Sequence, residues 1–238
     1  MSSIHFIGGE KGGVGKSLTT RLLAQYFIDR SLQFAGFDTD RSHGTFSRFY
    51  AGFTASLDVE KFDSLDAILD MAETLPDTHL LVDLAAQTTR HLNRWMTDSD
   101  VFGIFAELKR PVYWWHVMDD GADSLLLLEK LLQKLPENVQ LVMVQNQGRG
   151  ENFTHTEQST IYRQALAQGA HAVVLKKLQP ALMQKIDFSG LSFWAAANNR
   201  ELISLAERRR VAVWLEDSYA QFDRFLLPQE QGTAVNEQ

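Results

Sequence analysis

The sequence predicts an α/β fold, a single domain with a mainly parallel twisted sheet and helices on both of its faces. Short apolar runs alternate with segments in which apolar residues recur at helical spacing, an order typical of β-α-β units. The first apolar run ends in a glycine-rich loop that leads directly into a helix. A chain of 238 residues, 45% of them hydrophobic and only 5 of them proline, is long enough for one substantial core.

The glycine-rich loop, Gly8 to Gly15, has the features of a cradle for the phosphates of a nucleoside triphosphate. A buried strand is predicted over Ser3 to Ile7 and a helix from Lys16 onward, so backbone N–H groups and the helix dipole converge on one point. Lys16 can reach the β- and γ-phosphates, and the Ser17 hydroxyl can ligate Mg²⁺. Against the pattern G-x-x-x-x-G-K-[ST] there is one mismatch, because Glu10 stands at the first position.

The segment from Lys11 to Ser17, KGGVGKS, contains a second lysine inside the loop. This is the deviant Walker A motif, and the chain here resembles the ParA/MinD family of P-loop ATPases. The resemblance implies ATP and Mg²⁺ as ligands, and a homodimer of two ATP-bound subunits in which Lys11 reaches into the partner's nucleotide site. The residues implied in nucleotide binding are Gly12, Gly13, Val14, Gly15, Lys16, Ser17 and Leu18.

The remaining elements follow from the period of the apolar residues. In the helix from Lys16 to Arg30, for example, Leu18, Leu22 and Tyr26 recur on one face. The further strands are predicted over Gln33 to Asp38, Thr78 to Leu84, Pro111 to Met118, Asn138 to Gln145 and Ala172 to Leu178. The further helices are predicted over Ser64 to Leu75, Thr89 to Leu108, Ala122 to Leu135, Glu157 to Gln168, Gln179 to Ile186 and most of Asn199 to Leu226.

Carboxylates end two of these strands, at the sheet edge where parallel α/β folds bind ligands. Asp83 ends the apolar run THLLVDL, which is the Walker B arrangement and predicts a Mg²⁺ ligand, direct or through water. The resemblance implies that Asp40 orients the attacking water and that Asp38 lies near the Mg²⁺ shell. An Asx-type turn is the other interpretation of the Asp38-Thr39-Asp40 segment.

Two further positions carry implications of the resemblance. Asn146, at the end of the fifth predicted strand, corresponds to the residue that reads the adenine edge with its amide, although a turn before Gly148 also explains it. The family glycine four residues after the Walker B aspartate is Gln87 here. Gln87 therefore puts the usual switch II geometry in question and is compatible with slow hydrolysis.

Adjacent tryptophans on the fourth predicted strand, Trp114 and Trp115, must face opposite sides of the sheet and are expected in the core. His116 beside them is expected to be a hydrogen-bonded core residue.

Composition narrows the functional classes. With 30 acidic and 23 basic residues the net charge is −7, which argues against a surface that binds polyanions throughout. The absence of cysteine excludes disulfides, thiolate metal sites and cysteine-held iron–sulfur clusters. The start of the sequence does not resemble a secretory signal, and no apolar run approaches the ~20 residues of a membrane span. A cytoplasmic protein without a membrane partner is therefore expected, with a domain over residues 1–227 and a disordered polar tail over 228–238.

The sequence thus favours an ATPase whose ATP-dependent dimerisation drives binding and release of a protein partner that stimulates hydrolysis. The resemblance implies plasmid partition, conjugal transfer or positioning of another cargo, and Arg208-Arg209-Arg210 could hold nonspecific DNA weakly. Two alternatives stay open. One is an ATP-dependent carboxylate-activating synthetase of the dethiobiotin-synthetase or cobyrinate-amidating type, for which Arg41, His43 and Arg90 could bind the carboxylate. The other is a nucleotide-dependent scaffold with very slow hydrolysis.

Overall fold

The structure is a computed structural model that describes residues 2–40, 44–86 and 88–227. The predicted tail, residues 228–238, and the predicted positions Arg41, His43 and Gln87 lie outside these ranges. The strands are β1 (Ile4–Gly8), β2 (Phe34–Asp38), β3 (Thr54–Ser56), β4 (His79–Asp83), β5 (Val112–Met118), β6 (Val139–Asn146) and β7 (His171–Leu175). The helices are α1 (Lys16–Asp29), α2 (Thr45–Phe49), α3 (Phe62–Thr74), α4 (Thr89–Asp98), α5 (Val101–Glu107), α6 (Ala122–Leu132), α7 (Thr154–Gln158), α8 (Thr160–Ala167), α9 (Pro180–Phe188), α10 (Phe193–Asn198) and α11 (Leu205–Leu226).

These strands form one sheet in the order β3-β2-β4-β1-β5-β6-β7, and every neighbouring pair is parallel. The predicted fold class is therefore confirmed. Strands β2 and β4 pair so that Asp38 lies beside Asp83, and β1 lies between β4 and β5. The carboxyl ends of β2, β4, β1 and β5 thus meet at one edge of the sheet, where parallel α/β folds bind ligands.

Helices cover both faces of the sheet, and the two faces have separate apolar cores. Trp115 belongs to the core beneath α1, α9, α10 and α11, whereas Trp114 belongs to the core beneath α3, α4, α5, α6 and α8. The predicted opposite orientation of the two tryptophans is confirmed. His116 is also a core residue as predicted, with Nε2 3.1 Å from the Ser124 carbonyl oxygen.

One predicted helix, Thr89 to Leu108, is two helices in the structure. Asp100 adopts a left-handed backbone conformation, with φ 47°, and this ends the path of α4. Its carboxylate occupies the space that a side chain at Gly103 would fill, since a Cβ there would lie 2.2 Å from Asp100 Oδ2. The break lets α5 pack separately on the sheet, with Val101 and Phe105 buried.

Four short elements, β3, α2, α7 and α10, were not predicted as separate elements. β3 has three residues at the edge of the sheet, beside β2. α10 has six residues, and the Ser192 side chain caps it by accepting a hydrogen bond from the Ala195 N–H at 3.2 Å. Elements of three to six residues are too short for an apolar period to be recognised. At the opposite edge, the Gln221 side chain exchanges two hydrogen bonds with the backbone of Val174 and so covers β7.

A buried polar cluster lies at the amino ends of the central strands, far from the ligand-binding edge. The Ser3 hydroxyl lies 2.7 Å from His5 Nε2 and 2.9 Å from His79 Nδ1, and the indole N–H of Trp115 donates to His5 Nδ1 at 3.1 Å. Arg110 donates to the carbonyl groups of Ser2, Ala72, Leu75 and Thr78.

None of the helices between residues 2 and 227, leaving out the four undescribed positions, is long and apolar enough to cross a bilayer.

Candidate nucleotide site

The glycine-rich loop connects β1 to α1 at the centre of the ligand-binding edge. Gly13 and Gly15 have φ values of 77° and 105°, a backbone conformation that favours glycine. Gly15 is also the N-cap of α1, and a Cβ at this position would lie 2.2 Å from the side-chain nitrogen of Asn146. The loop therefore depends on glycine for its backbone conformation and for the close approach of β6.

Lys16 folds back over this loop. Its ammonium group donates to the carbonyl oxygen of Lys11 at 2.9 Å, and the residue is 8% exposed. Burial lowers the pKa of Lys16, while the negative charges of Asp83 and Asp40 act in the opposite direction. A phosphate between the loop and Lys16 would supply the counter-charge that burial makes favourable.

Lys11 points away from the loop toward the segment that follows β5. Its ammonium group lies 2.8 Å and 3.0 Å from the two carboxylate oxygens of Asp119 and 4.0 Å from Asp123. The hydrogen bond with Asp119 raises the pKa of Lys11. In this conformation Lys11 is held by its own chain.

Asp83 provides the test of whether the site suits Mg²⁺. Its Oδ1 accepts a hydrogen bond from the Thr20 hydroxyl at 3.0 Å, whereas the buried Oδ2 has no hydrogen-bond partner in the described part of the chain. Burial raises the pKa of Asp83 to about 7, and the nearby Ser17 hydroxyl lowers it in part. A cation beside Oδ2 would satisfy this oxygen, so Asp83 and Ser17 fit a Mg²⁺ site.

No group of three or more histidine, aspartate or glutamate side chains able to hold a metal occurs within residues 2–40, 44–86 and 88–227. A Mg²⁺ ion held by Ser17 and Asp83 would therefore take its remaining ligands from phosphate oxygens and water, as this ion commonly does.

Both oxygens of Asp38 are engaged in local hydrogen bonds. Oδ1 accepts from the Asp40 N–H at 2.9 Å, and Oδ2 accepts from the N–H and the hydroxyl of Ser47 at 3.0 Å and 3.1 Å. Asp38 is therefore the acceptor of an Asx-type turn and also holds α2 to the end of β2. A place for Asp38 near the Mg²⁺ shell, and the water-orienting role of half-buried Asp40, stay predictions.

Thr39, between these aspartates, was not predicted as a site residue. Its hydroxyl donates to the Asp83 carbonyl at 2.9 Å and accepts from the Ala85 N–H at 2.8 Å. Its own N–H also donates to the Asp83 carbonyl, at 3.1 Å. Thr39 thus joins the ends of β2 and β4, and a threonine between two aspartates is the only sequence signal for it.

Asn146 holds the loop instead of pointing into open space. Its side-chain nitrogen donates to the Val14 carbonyl at 2.8 Å, and its Oδ1 accepts from the Gly148 N–H at 2.9 Å. The amide retains one N–H and one lone pair beyond these bonds. Both the predicted turn role and a contact with a ligand are compatible with this geometry, and base reading stays a prediction.

A cleft of about 790 Å³ opens beside Asn146, within the size range of small-molecule sites. Its wall includes Leu18 at the start of α1 and Arg48 on α2. The loops after β6 and β7 and helix α9 complete the wall through Gly148, Arg149, Lys176, Lys177, Leu178, Pro180, Asp187 and Phe188. Leu18 and Asn146, both predicted nucleotide-binding residues, therefore line one cleft next to the phosphate loop.

The arginine run on α11 does not form one patch. Arg208 is half-buried and donates to the Ile203 carbonyl at 2.6 Å, while Arg210 lies 3.3 Å from the Gln179 side chain. Consecutive helix residues point about 100° apart. Only Arg209 and Arg210 line the groove that runs from α11 to Lys176 and Lys177.

Comparison with known proteins gives distant relatives. No protein-family model matches the sequence. Protein MobD from Acidithiobacillus ferrooxidans is 28% identical over 151 residues, which are 63% of this chain and 65% of that protein. Protein TraL from Escherichia coli is 25% identical over 131 residues, 53% of this chain and 54% of that protein. The chain therefore spans less than two thirds of the length of either relative.

Solved structures share the fold over most of the chain. MinD cell division protein from Aquifex aeolicus superposes with a TM-score of 0.58 at 11% identity, covering 97% of this chain and 100% of that one. The MinC:MinD cell division protein complex from the same organism superposes with a TM-score of 0.55 at 10% identity, covering 97% of this chain and 99% of that one. A nucleotide-binding protein in complex with ADP from Archaeoglobus fulgidus superposes with a TM-score of 0.50 at 15% identity, covering 87% of this chain and 94% of that one. This chain therefore shares the fold of the MinD structures, and its two-lysine phosphate loop resembles that of the ParA/MinD family.

Proposed function

We propose that this chain is a Mg²⁺-dependent ATPase whose ATP-bound form is a homodimer that binds a protein partner and releases it after hydrolysis. The observation that carries the proposal is that two buried charged side chains beside the loop, Lys16 and Asp83, lack part of the hydrogen-bond partners or counter-charge that burial requires. Within the described residues, the buried ammonium group of Lys16 donates to a carbonyl oxygen and to no carboxylate, and Asp83 has a buried oxygen without a donor. A triphosphate with its cation would satisfy both groups at once.

The reaction is in-line attack of water on the γ-phosphorus, which breaks the bond to the bridging oxygen and releases ADP and inorganic phosphate. Backbone N–H groups of Gly12, Gly13 and Gly15 would bind phosphate oxygens, and Lys16 with the partner's Lys11 would neutralise charge. Asp40 would accept a hydrogen bond from the attacking water. Mg²⁺, which supplies further charge neutralisation when bound, would be held by Ser17 and Asp83.

In such a protein, the rate of hydrolysis sets how long the ATP-bound state lasts. The ATP-bound and ADP-bound states must differ in their affinity for the partner, because only a differential affinity can drive a cycle of binding and release. The MinD relative has been solved in a complex with MinC, which supports a protein partner for this chain as well. The cargo that we propose is a plasmid in partition or conjugal transfer, as the resemblance implies.

Nonspecific DNA is a weaker component of the proposal, because the three arginines diverge on α11. Its test is the affinity for duplex DNA at low and high salt, which should fall steeply with salt if phosphate contacts dominate.

The proposed cycle can be tested by measuring MgATP binding and molar mass in solution with ADP and with ATP. We expect a monomer with ADP and a dimer with ATP, and the Asp40→Ala variant should remain a dimer because hydrolysis is blocked. Lys16→Ala should lose nucleotide binding, while Lys61→Ala, an exposed lysine beside Asp58, serves as the control. A wild-type protein that does not bind ATP would refute the proposal.

The same assay separates the alternatives. ATP consumption that requires an added small carboxylate, together with an oligomeric state that does not change with nucleotide, would indicate a synthetase. Of the residues predicted for that chemistry, Arg90 is exposed on α4, and the other two lie outside the described residues. ATP binding and dimerisation without measurable phosphate release would indicate the scaffold.

A further inference from the structure

Arg21, on α1 one turn after Ser17, is a buried arginine that the phosphate loop does not use. Its side chain is 3% exposed, and its Nη1 donates to Asp187 Oδ1 on α9 at 2.8 Å. The guanidinium carbon lies 3.5 Å from the ring centroid of Phe49 on α2 and 4.7 Å from that of Phe193 on α10. One side chain thus contacts three helices.

The helices that Arg21 joins form two sides of the cleft beside Asn146. Asp187 and Phe188 of α9 line that cleft, and so does Arg48 of α2. Arg48 also lies over the Phe49 ring, at 4.6 Å. The guanidinium of Arg21 therefore contacts both helices that form these walls.

Gln25, one turn further along α1, repeats this bridging pattern. It is fully buried, and its Oε1 accepts hydrogen bonds from the Tyr50 hydroxyl and the Trp194 N–H, both at 3.0 Å. Tyr50 follows α2, and Trp194 is in the first turn of α10. Two polar residues on the same face of α1 therefore tie the α2 region to the helices after β7.

Stability alone does not account for an arginine at this position. Two nitrogens of Arg21, Nε and Nη2, are buried without an acceptor in the described parts of the chain. Buried N–H groups without acceptors are unfavourable, and an apolar side chain of similar volume often stabilises such a site as well or better. Asp187 keeps 43% of its side chain in solvent, so the loss of Arg21 would not leave a buried carboxylate.

We propose that Arg21 is a positioning residue for the nucleoside part of the ligand, holding α2 and α9 at fixed places around the cleft. The inference rests on the proposed function, because it assumes that the cleft receives the base and ribose of a nucleotide whose phosphates lie in the loop. Arg21 lies beyond the first turn of α1, so its loss should leave the phosphate loop intact. It should weaken the binding of ATP much more than the binding of a bare polyphosphate.

The experiment compares the dissociation constants of MgATP and of inorganic tripolyphosphate with Mg²⁺, measured by calorimetry on the full chain. For Arg21→Met, we expect the constant for ATP to rise about tenfold or more and that for tripolyphosphate to change by less than about twofold. Asp187→Asn, which breaks the same ion pair from the α9 side, should show the same selectivity. It also decides the question if Arg21→Met does not fold.

Arg30→Met is the matched control. Arg30 lies directly after α1 and, like Arg21, combines an ion pair with ring contacts. Its guanidinium lies 2.6 Å from Asp223 and contacts the rings of Tyr26 and Tyr219. It packs on α11, away from the cleft. Both constants should stay at the wild-type values in this variant.

Four results would overturn the proposal. Equal weakening of ATP and tripolyphosphate in Arg21→Met would place its effect on the phosphate loop, and no change in either would show that the bridge positions nothing. Equal affinity of the wild type for the two ligands would show that the cleft does not bind the nucleoside, although the proposed ATPase would stand. A wild type that binds neither ligand would refute the proposed function and this inference together.

Discussion

The ammonium group of Lys11 lies 2.8 Å from a carboxylate oxygen of Asp119, within the same subunit. Asp119 is oriented for this contact, because its Oδ1 also accepts hydrogen bonds from the Ser124 hydroxyl at 2.7 Å and the Gly121 N–H at 3.1 Å. A lysine that serves a partner's nucleotide must first leave this carboxylate. The ion pair therefore competes with the proposed dimer.

Asp119→Asn should favour the ATP-bound dimer. The substitution removes the charge that holds Lys11, and a partly exposed ion pair contributes little, so we expect the dimer association constant to rise by about two- to fivefold. Sedimentation velocity with ATP over a range of protein concentrations measures it. Asp123→Asn is the control, since Asp123 is 76% exposed and 4.0 Å from Lys11. An unchanged or lower association constant in Asp119→Asn would contradict the prediction.

Thr39→Val should destabilise the fold at the ligand-binding edge. Valine has the same shape but no hydroxyl, so the Ala85 N–H loses its acceptor and the Asp83 carbonyl loses one of its two donors from Thr39. The free energy of unfolding should fall by about 1–3 kcal/mol. Urea denaturation followed by circular dichroism measures the change.

Two further variants control for the loss of a methyl group and of a hydroxyl. Thr39→Ser keeps the oxygen and should retain most of the stability. Thr74→Val removes an exposed hydroxyl whose hydrogen bond, among the described residues, stays within α3 and goes to the Asp70 carbonyl, so it should have a small effect. A loss in Thr39→Val no larger than in Thr74→Val would show that the hydroxyl does not join β2 to β4.

Stability should fall as the pH falls from about 6.5 to about 4. Burial lowers the pKa of His5 and lowers that of His79 to about 4, below the ordinary value of 6.5. The unfolded chain binds more protons than the folded one between these values, so the contribution of the neutral histidines is complete above 6.5 and is lost on acidification. Two hydrogen bonds agree with neutral rings, because His5 Nδ1 accepts from Trp115 and His79 Nδ1 accepts from the Ser3 N–H.

The measurement is the free energy of unfolding in urea at several pH values. The loss from His79 alone should amount to roughly 2–3 kcal/mol between pH 7 and pH 4. His79→Asn keeps an acceptor for the Ser3 N–H but cannot be protonated, so it should flatten the pH profile, whereas His155→Asn on the exposed face of α7 should not. A His79→Asn profile as steep as that of the wild type would count against the assignment.

Local patterns were sufficient to predict most of the architecture. The longer strands and helices were predicted, because their apolar residues recur at a recognisable period. Asp38 and Asp83 were predicted at the same edge of the sheet, because parallel strands end at one edge. β3, α2, α7 and α10 have too few residues to show a period. The break between α4 and α5 depends on the backbone conformation of Asp100, for which no periodic signal exists.

The phosphate loop was predictable because its chemistry lies within one short segment. Thr39 and Arg21 were not, since their roles come from partners distant in the chain. Thr39 bonds to residues 44 and 46 positions away, and Asp187 follows Arg21 by 166 residues. The arginine run illustrates the converse, because three neighbours in sequence point in different directions once they are on α11.

The last prediction concerns whether Asn146 holds the loop or reads the base. Asn146→Ala removes the donor to the Val14 carbonyl and the acceptor for the Gly148 N–H, and both contacts shape the phosphate loop and its flank. Loop distortion affects every phosphate ligand. We therefore expect the dissociation constants of MgATP and of inorganic tripolyphosphate to rise together, by about three- to tenfold.

Asn152→Ala is the control, because Asn152 is exposed in the same loop region and its side chain, among the residues that the structure describes, accepts from the nearby Thr154 N–H alone. Both constants should be unchanged there. A loss in Asn146→Ala confined to ATP would instead assign the amide to the adenine edge, since a bare polyphosphate has no base to be read. The comparison therefore distinguishes the two roles in a single titration series, and it does so independently of Arg21, whose loss we expect to spare tripolyphosphate.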